Sequence, residues 1–180
     1  MRRRHWLQRW TSSRRILHKR GSKIVMRLPR TLQLLALASL LHSAASADVP
    51  DRQTADAKIR TKCASDFPDN FSTQAYCIKT NKEGYAKFVT NRMSAKSTLS
   101  IAYDRCQRDF GDDGNWSTAA YCARTNTDGY EEFLGLKASA PPALLRSYAK
   151  CERDFGSDGN WSTAAYCAKR EREAFRELQN

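Results

Sequence analysis

The stretch "CQRDFGDDGNWSTAAYC" at residues 106–122 returns almost unchanged as "CERDFGSDGNWSTAAYC" at 151–167. A degenerate copy, "CASDFPDNFSTQAYC", lies at 63–77, and the three copies together use all six cysteines of the chain. Each copy contains two cysteines and resembles its neighbours closely enough to be one folding unit, which selects one connectivity among those open to six cysteines. The expected bridges are Cys63–Cys77, Cys106–Cys122 and Cys151–Cys167. A cysteine-only zinc site would favour close C-x-x-C pairs, whereas the gaps here are thirteen and fifteen residues. No metal and no cofactor are expected.

Working outward from the cysteines, Leu99, Tyr103 and Cys106 fall at i, i+4 and i+7, and Leu144, Tyr148 and Cys151 repeat that spacing, one stripe of a helix. Pro141 and Pro142 suit the start of the last of these helices. Past each loop, "WSTAAY" places Ser117 at a helix N-cap, with Trp116 and Tyr121 at the positions of a hydrophobic staple; Phe71 with Tyr76 and Trp161 with Tyr166 match it. The pairs Tyr85 and Phe88, Tyr130 and Phe133, and Phe175 and Leu178 continue a second helical face. Gly84, Gly129 and Ala174 share one position within it, and since "REREAFREL" is helical without a gap, the glycines read as close-packing sites inside helices.

The fold class expected is therefore all-α: three tandem disulfide-stapled helical hairpins, forming a small bundle or short solenoid, with repeats at approximately 53–90, 96–135 and 141–180. The first copy has a shorter loop, Phe71 for tryptophan, and Asp56 and Arg60 at the stripe positions, which suits a capping unit.

The formal charge of +12 is concentrated upstream. Residues 1–47 hold 11 Lys/Arg and no Asp/Glu, whereas residues 48–180 hold 20 Lys/Arg against 19 Asp/Glu, a balance of +1. From Met26, "MRLPR", "TLQLLALASLL" and "HSAASA" have the basic, apolar and small-residue regions of a secretory signal, with cleavage expected between Ala47 and Asp48. Residues 1–25 read as a spurious or extended N-terminal segment, 26–47 as the signal peptide and 48–180 as the mature domain. The apolar run is shorter than the ~20 residues of a membrane-spanning helix, so no membrane span is expected after processing. An even number of cysteines behind such a leader points to an exported protein, periplasmic or secreted. A near-neutral mature chain has no excess basic patch for phosphates, and no nucleic-acid partner is expected.

His5, His18 and His42 all precede the expected cut, which removes Ser-His and Cys-His catalysis from the mature chain. Asp66, Asp109 and Asp154 recur three residues past each first cysteine, and repetition in every unit suggests a structural task such as accepting loop N–H groups. Asp109 with Asp113, and Asp154 with Asp158, have the first spacings of a calcium loop, but Ala120 and Ala165 stand where its bidentate glutamate belongs. The loop edges from Phe110 to Trp116 and from Phe155 to Trp161 are the expected recognition surface, since duplicated loops on a stapled scaffold suit binding.

With their C-x-x-[DE]-[FWY] and aromatic-x-x-x-x-Y-C patterns, these hairpins resemble a loose set of uncharacterised small exported bacterial proteins over about half of the mature chain; the resemblance implies no function. The expectation is an exported, non-enzymatic binding or envelope-associated module with a protein or glycan partner. The alternatives are a His-free carbohydrate-active hydrolase using an Asp/Glu pair and a weak calcium-binding protein.

Overall fold

The computed structural model describes residues 48–180, so the expected leader and the residues before it lie outside the described part. Six α-helices follow one another: α1 Arg52–Asp66, α2 Phe71–Ser94, α3 Ser100–Asp109, α4 Trp116–Ala138, α5 Pro142–Asp154 and α6 Trp161–Glu177. They pair as α1/α2, α3/α4 and α5/α6, and each hairpin carries the expected bridge with Cα–Cα separations of 5.8, 5.7 and 5.8 Å. Among the described residues there is no strand and no free cysteine.

Local chemistry sets the helix starts. Asp51 caps α1 by accepting from the N–H groups of Gln53 and Thr54 at 2.8 and 3.0 Å. The Thr54 backbone and hydroxyl hydrogen bonds hold its carboxyl below the usual range. Pro142 opens α5, where a missing N–H costs nothing. The stripes Leu99–Tyr103–Cys106 and Leu144–Tyr148–Cys151 are buried as expected. In α1 the buried stripe is Ala55, Ile59 and Cys63; Asp56 instead pairs with Lys82 at 2.6 Å, and Arg60 is exposed.

The expected staple is corrected. The residue before α4 is Asn115 and Trp116 is the first helical residue, while Tyr121 is 61% exposed and Trp116 fully buried. The physical reason is that Trp116 is captured by the preceding hairpin. Its ring meets Tyr85 edge-on at a centroid distance of 5.0 Å and Phe88 at 5.3 Å, both on α2. Trp161 does the same to Tyr130 and Phe133 of α4, at 4.7 and 5.7 Å.

These captures build the array. α4 lies between α2 and α6, and α1, α3 and α5 each pack on the second helix of their own hairpin. Gly84 is the reason α4 comes so close to α2: a Cβ there would lie 2.6 Å from the Ser117 backbone, and at Gly129 it would lie 2.6 Å from that of Ser162. Since Ser117 sits against the middle of α2, each second helix starts about 18 Å further along than the one before it, by the rise of an α-helix. Buried Asn81 locks the step, accepting from the Ser117 N–H at 3.0 Å and donating to the Cys77 carbonyl at 3.1 Å. Asn126 repeats both bonds with Ser162 and Cys122, at 3.3 and 3.1 Å.

The hairpin tips fit against the preceding unit as well. Gly114 and Gly159 adopt φ of 84° and 75°, and a Cβ on either would lie within 3 Å of backbone, Lys58 in one case and Ala102 in the other. In the first hairpin the positive φ, 63°, falls on Asp69.

Candidate functional site

The residues expected to form recognition loops serve the interior instead. Trp116 is fully buried and Trp161 is 3% exposed, each between two hairpins, so neither offers its flat ring to a partner. Phe110 and Phe155 are half-buried against the same core. This corrects the loop-edge expectation: the socket formed by Tyr85 and Phe88, or Tyr130 and Phe133, absorbs the aromatic surface that the loop would have displayed.

The recurring aspartates have a different structural task from the one expected. Asp66, Asp109 and Asp154 each pair with a basic residue one turn upstream, Lys62 at 3.0 Å, Arg105 at 3.5 Å and Lys150 respectively. The second and third tips close through backbone bonds in which the Asn115 and Asn160 N–H groups donate to the Phe110 and Phe155 carbonyls at 3.0 Å, with no part for these aspartates. The calcium-like stretches are short 3-10 turns, Gly111–Asp113 and Gly156–Asp158, ended by the left-handed glycines. Among the described residues no group of three or more His, Cys, Asp or Glu side chains converges on a point where a metal ion would sit.

What each unit does display is a tyrosine. Tyr76, Tyr121 and Tyr166 immediately precede the second cysteine of their hairpins, and all three are exposed. The cysteine that follows each of them is half-buried and bridged inward to its hairpin partner, and a helical neighbour is turned about 100° from it, which puts these exposed rings on the outer face of α2, α4 and α6. Beside Tyr121 lie two open grooves. One, of about 220 Å3, runs between α2 and α4 and is lined by Glu83, Lys87, Asn91 and Arg124; the other, of about 450 Å3, lies between α4 and α6 with Thr125, Asp128 and Glu132. The Arg124 guanidinium stands 5.7 Å from the Tyr121 ring centre, at the junction of the two. Acidic and basic groups mix along this face, in keeping with the near-neutral balance of residues 48–180.

Sequence reasoning missed these tyrosines by assigning them to staples, and it missed Asn81 and Asn126 altogether. The signal was present: "NKEGY" at 81–85 and "NTDGY" at 126–130 repeat one motif, and the last unit breaks it with "EREAF" at 171–175.

No family model, curated protein or solved structure matches the chain. Fold and site together define a tandem disulfide-stapled helical-hairpin protein, with three bridges that suit an oxidising, extracytoplasmic compartment. Among the described residues no helix is long and apolar enough to cross a membrane.

Proposed function

We propose that the protein is an exported, non-enzymatic binding module that holds an extended glycan of the cell envelope along the outer face of α2, α4 and α6. The observation that carries this reading is the exposure of Tyr76, Tyr121 and Tyr166 at one equivalent position in each hairpin. An exposed tyrosine offers a flat apolar face and a hydroxyl, which suits stacking on a sugar ring. The neighbouring carboxylate, amide and guanidinium groups supply hydrogen bonds without a net charge that would demand an ionic partner. Sites repeated along a rigid array favour a polymer, because linked weak contacts multiply into avidity.

The test is co-sedimentation of the mature chain with insoluble cell-wall polysaccharide. Wild-type protein is expected in the pellet, and the triple variant Tyr76→Ala, Tyr121→Ala, Tyr166→Ala is expected to lose at least about tenfold in affinity while retaining its helical spectrum and three disulfides, since all three rings are exposed. Equal pelleting of the folded triple variant, or none by the wild type, overturns the proposal. Release of soluble sugar from the pellet would instead favour a hydrolase.

A further inference from the structure

The two contacts between neighbouring hairpins follow one plan. In each, the tryptophan that opens a second helix enters a socket on the second helix before it. An asparagine of the receiving helix accepts from the N–H of the serine after that tryptophan, and a glycine lets the two helices meet. Docking covers the receiving flank: Asn81, Gly84 and Phe88 of α2 are buried, as are Asn126, Gly129 and Phe133 of α4.

Both halves of this plan recur without a partner among the described residues. Phe71, at the tryptophan position of α2, is exposed. On α6 the residues equivalent to Asn81, Gly84 and Phe88 are Glu171, Ala174 and Leu178, and all three are exposed. Charge continues the match. Lys169 of α6 pairs with Glu132 of α4 at 2.6 Å across the second contact. Shifted by one repeat in opposite directions past the array, the same two positions hold Lys79 of α2 and Glu177 of α6, which are oppositely charged and exposed. The Phe71 end of a second copy therefore matches the receiving flank of α6, in the arrangement by which the chain already joins its own hairpins.

Two residues oppose that match. Ala174 carries the methyl group that at Gly84 or Gly129 would lie 2.6 Å from the backbone of the arriving serine, a clash that no side-chain rotation relieves. Glu171 replaces a carboxamide that both accepts and donates: Asn81 accepts from Ser117 and gives its Nδ2 hydrogen to the Cys77 carbonyl. An ionised carboxylate has no hydrogen to give, and docking would strip its water.

We infer that the receiving flank of α6 is a socket for the Phe71 end of a second copy of this chain, held shut by Glu171 and Ala174. Such a contact is heterologous, joining Phe71 on the first hairpin to α6 on the third. Each docked copy would present a new socket, and the assembly would grow as a fibre without closing. The two substitutions prevent that growth while leaving the contacts inside the chain intact.

The test is analytical ultracentrifugation of the exported, disulfide-bonded protein over a range of concentrations. Wild type is expected to stay monomeric. Glu171→Asn with Ala174→Gly restores the N-x-x-G pattern that α2 and α4 carry as helices. This double variant is expected to associate at least about tenfold more tightly than wild type, with a mass that rises with concentration past the dimer. Adding Phe71→Glu to it removes the plug and is expected to return a monomer. Mixed with wild type, whose plug is intact, that triple variant should form a dimer and nothing larger. A folded double variant that stays monomeric overturns the inference. So does a wild type that assembles as strongly as the double variant, or assembly that survives Phe71→Glu. If the glycine unwinds the end of α6, Glu171→Asn alone is compared with wild type, and no gain in association then overturns it.

Discussion

Trp116 touches Tyr85, Phe88 and Gly111 and is wholly enclosed, yet its indole N–H, like that of Trp161, meets no acceptor among the described residues. The tryptophan therefore works through volume and ring geometry, and the unpaired N–H detracts from it. Replacing it should separate those contributions. Trp116→Ala leaves a cavity between two hairpins and is expected to cost about 3–5 kcal/mol in urea unfolding with the disulfides intact. Trp116→Phe keeps an aromatic plug and loses no hydrogen bond, so its cost should be markedly smaller. Equal costs for the two variants would mean that the ring contacts contribute little beyond the first shell of atoms. That tryptophan matters was legible from the repeat; that it points into the preceding unit, and away from a partner, was not.

The second helix of the middle hairpin, α4, has two tasks along its length: its start plugs the hairpin before it, and its middle receives the hairpin after it, whereas among the described residues α2 only receives and α6 only plugs. Gly84 and Gly135 show how strongly position within the element decides the effect of one methyl group. At Gly84 a Cβ meets the Ser117 backbone, which cannot yield as a side chain would, whereas at Gly135 nothing lies within 4 Å. Gly84→Ala is expected to destabilise the protein by about 1–3 kcal/mol through overpacking. Gly135→Ala should stabilise it by about 0.5–1 kcal/mol, since an alanine loses less backbone entropy in a helix. Thermal melts of the two variants check both signs, and a neutral Gly84→Ala would refute the close approach of α2 and α4.

Across the whole molecule, the departures from the repeat fall at the ends and have one explanation. Among the described residues the first hairpin follows no other: Phe71 replaces the tryptophan plug and is 80% exposed, and Asp69 stands where the later hairpins have a glycine. In the last of the three described hairpins, Glu171 and Ala174 stand at the positions where Asn81 and Gly84 receive the next helix, and Leu178 is 87% exposed. Both outer hairpins of the described array thus depart from the repeat at the docking positions, where the sequence reading singled out only the first. Plug and socket should then be transferable: a second copy of residues 96–140 inserted between Ala140 and Pro141 is expected to fold as a four-hairpin chain with four intra-unit disulfides and a higher melting temperature. Scrambled bridges or a lower melting temperature would show that the units do not dock by these residues alone.

The sequence by itself determined the helices, the bridges and the glycine contacts, because each rests on spacing along the chain: stripes at helical period, cysteines in phase, a small residue where a helix must be approached. Only the tertiary structure decided which aromatic residues are interior and which are surface. Trp116 and Tyr121 share one helical stretch and similar chemistry, and both look like fasteners of a helix start. Their fates diverge because Tyr85, Phe88 and Gly84 of the preceding hairpin shape a socket for the first and leave the second on the outer face, a relation between units that no spacing within a unit contains.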